Sequence, residues 1–299
     1  MAGKNELHGR QVNVYFDFNR AGDYQTAVMS EPTPTLAALR REIDRIDEAM
    51  HDLLMLRARA VQGVAKAKTQ SGEPVLRPAR EAEVLRRLIA RHSGDFPKPA
   101  LVRLWREIMA GHVQIQTKFS LAILAPEGQE ALLRLGHDHF GASTPVRRHD
   151  RAGVVLREVT DGVVSVGILP LPGEIEVDPW WPALARNERN TPRIVARLPF
   201  ASEARPTAEA LAVAPVAQEP SGRDRSYVVI ESTEPLSRHA LTEQLQAAGM
   251  PPVFFASAGA MHLAEIDGFV AENDARLKRV GGVAVGGYAV PFTAAELGA

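Results

Sequence analysis

The chemistry this sequence could do rests first on cations set at helical spacing. Arg57 and Lys68 lie eleven residues apart, about three turns, so at roughly 100° per residue they share one helix face with Val61 and Val64. The rise between them is about 16 Å, and two long side chains can close that gap on one small ligand lying along the helix. Arg40 precedes Arg57 by seventeen residues and falls about 100° around the helix, off that face. To serve the same site it must arrive on a helix of another chain. From Thr35 to Lys118 there are 16 Lys and Arg against 10 Asp and Glu, a charge of +6, while the remainder carries −7. A basic helical unit suits an anionic partner, whether nucleic acid or a small polyanion, or it simply presents solvated faces. The last reading, arginines on an exposed stripe, stands beside the functional one.

Other residue types narrow the field. The chain of 299 residues has no Cys, which removes thiol nucleophiles, disulfides and Cys-ligated metals. Nucleic-acid binding wants aromatics interleaved with the basic residues, and these helices have hardly any. His137 and His139 have a metal-like spacing without a carboxylate constellation, and read as surface histidines at a helix end. Gly281-Gly282 and Gly286-Gly287 lack the Lys-Ser/Thr of a phosphate loop and read as turns. Trp105 falls at core spacing, and Trp180-Trp181 in a Pro-flanked loop suggests interface packing. No apolar run approaches the roughly 20 residues that cross a bilayer, and the N-terminus has no signal-peptide core. A cytoplasmic chain with no membrane association is expected.

These side chains must be positioned by elements that the periodicity outlines. With 45% apolar residues and net charge −1, the chain is not disordered as a whole, and its length suggests two or three domains. Residues 1–34 lack a sustained period and are expected as a disordered tail, with Met29 a candidate start. From Thr35, a plausible N-cap, Leu36, Leu39, Ile43, Ile46, Met50, Leu53, Val61 and Val64 predict one helix to about Lys68. A helix of that length, about 50 Å, cannot bury its stripe locally and needs a bundle or a second chain. A second helix is predicted from Pro78 to about Ser93, and a third from about Pro99 to Thr117. After Phe119 the texture turns α/β, with strands at 119–124, 163–170 and 193–198 and a helix at 129–140. Residues 201–225, rich in Ala, Pro, Glu and Ser, read as a linker. The order strand, helix, strand, strand, helix, strand from Tyr227 onward predicts a small βαββαβ sandwich.

The string LAALRREIDRIDEAMHDLLMLRARAVQGVAKAKTQSGEPVLRPAREAEVLRRL, followed by LWREIMAGHVQIQ, resembles the all-helical class of chorismate mutases, especially those fused to prephenate dehydratase. The likeness covers residues 35–117 and implies an intertwined homodimer with two active sites, each built from both chains. It implies that Arg57 binds one carboxylate of chorismate and that the partner's helix brings Arg40 to the other. Lys68 and Gln116 would flank the ether oxygen, Glu81 would accept a hydrogen bond from the ring hydroxyl, and Arg80 would shape the site. Two positions depart from the family pattern: Arg77 stands for an Asp near the hydroxyl, and His112, counted among the substrate-binding residues, stands for a Ser. LAILAPEGQEALLRLGHDHFG and VSVGILPLPGE are similar to parts of a prephenate dehydratase, a periplasmic-binding-like α/β fold. There RNTPRIVARL puts Pro192 where the family carries its catalytic threonine, and a proline has no hydroxyl to donate. The last segment resembles an ACT regulatory domain, which implies a possible aromatic amino-acid effector.

The expected architecture is therefore multidomain: a helical mutase domain at 35–118, a degenerate dehydratase-like α/β domain at 119–200, a linker at 201–225 and an ACT-like domain at 226–299. The expected reaction is the rearrangement of chorismate to prephenate. It requires no nucleophile, no cofactor and no metal, only a held conformer and a preorganised charge at the breaking ether bond. The alternatives are a bifunctional mutase/dehydratase and a non-catalytic sensor of an aromatic metabolite.

Overall fold

The computed structural model describes residues 34–71, 73–186, 188, 190–201, 208–232 and 237–298. The expected tail, up to residue 33, lies outside them. Helix α1 spans Leu36–Ser71, and the chain divides into two compact units within it, after Met55. Thr35 caps it as expected, its Oγ1 accepting the Ala38 N–H at 3.2 Å. In the first unit, Leu36, Leu39, Ile43, Ile46, Met50 and Leu53 are 44–64% exposed. They recur at helical spacing, so this stretch presents a continuous apolar stripe.

The second unit begins with the rest of α1. Helix α2 (Pro78–Ala90) starts on a proline, whose missing N–H costs nothing in a first turn. Helix α3 spans Lys98–Gln116. Ala82, Leu85 and Ile89 of α2 pack with Val102 and Met109 of α3, and the same cluster takes in Phe200, Phe292 and Leu297 from far along the chain. The three helices thus follow the predicted order and, within a few residues, the predicted bounds.

Beyond them runs α/β structure: β1 (Leu121–Leu124), α4 (Ala131–Phe140), β2 (Val146–His149), α5 (Ala152–Thr160), β3 (Val166–Pro170), a 3-10 turn at Trp181–Ala185, β4 (Arg193–Leu198) and β5 (Ala210–Ala214). There follow β6 (Asp224–Glu231), α6 (Arg238–Ala247), β7 (Pro252–Ala258), β8 (Met261–Asp267), α7 (Ala275–Val280), β9 (Gly282–Ala289) and α8 (Ala294–Leu297). The nine strands among the described residues form one sheet in the order β2-β1-β3-β5-β4-β9-β6-β8-β7. The side-chain alternation of strands sorts its two faces: Ala122 and Leu169 pack with Val155 and Val159 of α5, while Leu121, Ile123 and Ile168 pack with the α4 side. The last four strands and two helices have the predicted βαββαβ order and pair antiparallel throughout.

The seam between the halves of the sheet is one parallel contact, Ile194 against Gly286. Gly286 has φ 104°, and a Cβ there would sit 2.2 Å from the Ile194 carbonyl oxygen. Only glycine lets the two backbones close. Gly286 and Gly287, expected as a turn, therefore lie inside strand β9, whereas Gly281 does end α7 in the left-handed region.

Other expectations are corrected. The segment expected as a linker contains β5, which is fully buried between β3 and β4, and the start of β6. Its alanines mark a tightly packed strand rather than a flexible tether; residues 202–207 lie outside the described residues. Strand β2 and helix α5 were not anticipated, because the two outward arginines of VRRH break the apolar signal of a strand. Trp180 and Trp181 are core residues, 5% and 0% exposed, and the Trp180 indole donates to the Pro170 carbonyl at 3.1 Å. His139 is buried against the Phe140 ring rather than on the surface, and burial holds it well below the usual imidazole range.

Candidate active site

Helices α1, α2 and α3 enclose a cleft of about 450 Å³. Helix α1 contributes Arg57, Val61, Val64 and Lys68, the four residues whose spacing placed them on one face. Helix α2 contributes Arg80 and Glu81 along with Arg87, its preceding residue adds Arg77, and α3 contributes Trp105, His112 and Gln116. Of the residues proposed from sequence, Arg57, Lys68, Arg80, Glu81, His112 and Gln116 meet here. Arg40 lies in the first compact unit, exposed on α1. Five cationic side chains line the cleft against one carboxylate, a balance suited to a small polyanion.

The cations are held by different means. Arg57 is half-buried, with its guanidinium over the Trp105 ring at 5.6 Å from the centroid. Its Nη1 has no hydrogen-bond partner among the described residues, and burial lowers its pKa. Lys68 donates its ammonium to the Pro74 carbonyl at 2.8 Å and to that of Val75 at 3.5 Å, both in the turn before α2. That anchorage fixes the charge in place ahead of any ligand. Burial lowers the Lys68 pKa and the Arg77 charge adds to it, against Glu73, Glu219 and Glu81. Arg80 sits at the exposed side, paired with Glu83 at 2.8 Å.

Glu81 is largely buried and accepts from Arg106 Nη1 at 2.7 Å. Burial raises its carboxyl pKa, opposed by Arg106 and Lys68. Arg106 went unnoticed in the sequence. It is 4% exposed on α3 and lies 4.8 Å over the Phe200 ring. The available signal was its place in the series Val102, Arg106, Met109, Val113: a charge at an apolar position of a helix stripe is buried and must be answered.

His112 and Gln116 occupy successive turns of α3. His112 is buried, its Nδ1 meets the Ile108 carbonyl, and its Nε2 has no hydrogen-bond partner among the described residues. Gln116 donates Nε2–H to the His112 carbonyl at 3.0 Å, and its Oε1 has no hydrogen-bond partner among the described residues. An amide nitrogen carries two N–H groups, so a ligand oxygen can take the second. A buried polar group without a partner costs about 1–3 kcal/mol. Three of them, Arg57 Nη1, His112 Nε2 and Gln116 Oε1, belong to residues lining this one cleft.

The dehydratase-like positions are differently disposed. Pro192 precedes β4, and the neighbouring Thr191 hydroxyl is turned back onto the Glu188 carbonyl at 2.8 Å. Arg193 donates to Glu272 at 2.7 Å and to the Leu184 carbonyl at 3.2 Å. His137 and His139 belong to no cluster of three potential metal ligands among the described residues.

Comparison with known proteins agrees with the helical cleft. The family model for chorismate mutase type II matches residues 39–117. The bifunctional chorismate mutase/prephenate dehydratase of Pseudomonas aeruginosa is 40% identical over 152 residues, covering 47% of this chain and 40% of the relative. That of Stutzerimonas stutzeri is 38% identical over 149 residues with the same coverage. The chain thus spans about two fifths of the length of these relatives. Among solved structures, prephenate dehydratase from Streptococcus mutans aligns at 14% identity and TM-score 0.42, covering 58% of this chain and 98% of that one. Prephenate dehydratase from Arthrobacter aurescens, in complex with L-Phe, aligns at 15% and 0.42, covering 59% and 91%. Both likenesses are too loose to carry an argument. Residues 39–117, which the chorismate mutase type II model matches, contain every residue that lines the cleft of α1, α2 and α3.

Proposed function

We propose that the chain is a chorismate mutase, rearranging chorismate to prephenate in a cleft completed by a second subunit. The carrying observation is the convergence of Arg57, Lys68, Glu81 and Gln116 on one partly buried, cation-rich cleft, with hydrogen-bonding capacity left unused among the described residues. Arg57 would hold one carboxylate of the substrate, and its ring-backed guanidinium suits a planar anion. Lys68 would stand at the ether oxygen, where negative charge grows as the C–O bond breaks, and Gln116 would donate a neutral hydrogen bond beside it. Glu81, oriented by Arg106, would accept from the ring hydroxyl. Holding both carboxylates keeps the substrate folded, so that catalysis is orientation plus charge stabilisation.

The exposed stripe from Leu36 to Leu53 supports a homodimer, since a second copy of α1 would bury it and deliver Arg40. The reading also places the chain in the cytoplasm, because its substrate is a dianion that does not cross a bilayer unaided. An aromatic amino-acid effector on the βαββαβ segment belongs to the same proposal. In the test, purified full-length chain is given chorismate while its loss is followed by absorbance, and phenylpyruvate is then assayed. Chorismate consumption with prephenate accumulating is expected. Unconsumed chorismate overturns the proposal, and phenylpyruvate without acid treatment would extend it to a bifunctional enzyme.

A further inference from the structure

Helix α2 works on two sides. Arg80, Glu81 and Arg87 line the cleft, while Leu85 and Ile89 pack with Phe200, Phe292 and Leu297 of the C-terminal half. Arg86 ties the helix to that half, donating to the Ser221, Arg223 and Val290 carbonyls at 2.9, 3.0 and 2.9 Å. At the start of α2, Arg77 also lines the cleft, and it meets Glu219 from the loop between β5 and β6. The contact is two-pronged, Nε to Oε2 at 3.1 Å and Nη2 to Oε1 at 3.0 Å, which fixes the plane of the guanidinium. Glu73 adds a looser ion pair at 3.6 Å.

We propose that Glu219 is a positioning residue of the mutase cleft, acting through Arg77, so that the C-terminal half is a working part of the mutase; this rests on the mutase reading above. Where the resemblance led one to expect an acidic residue, this chain has a cation, and the carboxylate comes instead from the other half of the molecule. Released from Glu219, the Arg77 head would compete with Arg57 for a substrate carboxylate and tighten the ground state without helping the transition state. The ammonium of Lys68 reports on the same event. It faces Arg77, Glu73, Glu219 and Glu81, with Arg57, Arg80, Arg87 and His112 around the same cleft. Arg77 disfavours its charged form and Glu219 favours it.

The test is Glu219→Gln in the full chain. The pair is partly exposed, so kcat and KM are each expected to fall about three- to fivefold. The basic limb of the kcat/KM profile should move to lower pH, and adding Arg77→Gln should return all three toward the parent values. Unchanged kinetics in Glu219→Gln, or a change that Arg77→Gln leaves in place, would overturn the inference. Should Glu219→Gln fail to fold, Glu219→Asp serves, keeping the charge and the basic limb while losing the second prong. A parent chain that leaves chorismate untouched overturns the mutase reading and this inference with it, whereas an active parent with an indifferent Glu219 overturns this inference alone.

Discussion

Two regions of this protein bury arginine beside glutamate, and they differ in what remains unanswered. In the sheet, Glu265 of β8 is 4% exposed and accepts from Arg225 Nη1 at 3.1 Å, from the Tyr227 hydroxyl at 3.3 Å and from the Tyr288 hydroxyl. Arg197 donates to Tyr288 at 2.9 Å and to Glu209 at 2.9 and 3.2 Å. Burial and the Glu265 charge push Tyr288 up to about 12 and Tyr227 well above the usual phenol range, so both stay protonated donors. Both Glu265 oxygens and both phenols in that network are answered by other parts of the chain, and Arg225 Nε is its one buried polar atom without a hydrogen-bond partner among the described residues. In the helical cleft, Arg57, His112 and Gln116 each keep a buried polar atom without a hydrogen-bond partner among the described residues. The first arrangement ties β4, β6, β8 and β9 together, while the second has recognition capacity for something else. Residue types do not separate the two cases; the number of unfilled buried valences, one in the sheet network against three in the cleft, does.

That contrast can be broken from either side. Glu265→Ala removes the buried acceptor of both phenols and the ion-pair partner of Arg225, and should lower the unfolding free energy by about 3–5 kcal/mol in urea titration. A loss below 1 kcal/mol would deny the network its structural role. Lys68→Ala should cost about 10²–10³ in kcat, with the unfolding curve and the oligomeric state unchanged. Near-parental rearrangement in that variant would remove Lys68 from the mechanism. Mixing inactive Arg40→Ala and Lys68→Ala proteins should restore about a quarter of parental activity after full subunit exchange, as a two-fold shared site requires. No recovery would confine each site to one chain. The smallest effect concerns pH: under the proposed mechanism Lys68 works as the ammonium, and its pKa is lowered. The rate should therefore fall as pH rises through a value below the ordinary lysine pKa, and a plateau extending past that value would contradict the burial of Lys68.

Legibility followed the range of the interaction that sets each feature. The spacing of Arg57, Val61, Val64 and Lys68 put all four on one face, and all four line the cleft. The proline at Pro78 and the cap at Thr35 marked helix starts from neighbouring atoms alone. Arg106 could be noticed only as a charge in an apolar stripe; its answer, Glu81, lies 25 residues away on another helix. The Ala-rich run at 210–214 looked like tether because small residues read alike in a linker and in a tightly packed central strand.

Helical period, capping chemistry and a local excess of positive charge are properties of short stretches, and the amino-acid order alone determined them: three helices and a basic face. Tertiary structure decided what depends on distant partners. It decided that Gly286 would close a seam against Ile194 and that the Trp180-Trp181 pair would be core. It brought Glu219, 142 residues along the chain, to the rim of the cleft to hold Arg77. The reason is that burial and charge compensation belong to a place in space, and a place in space exists only after the chain has folded.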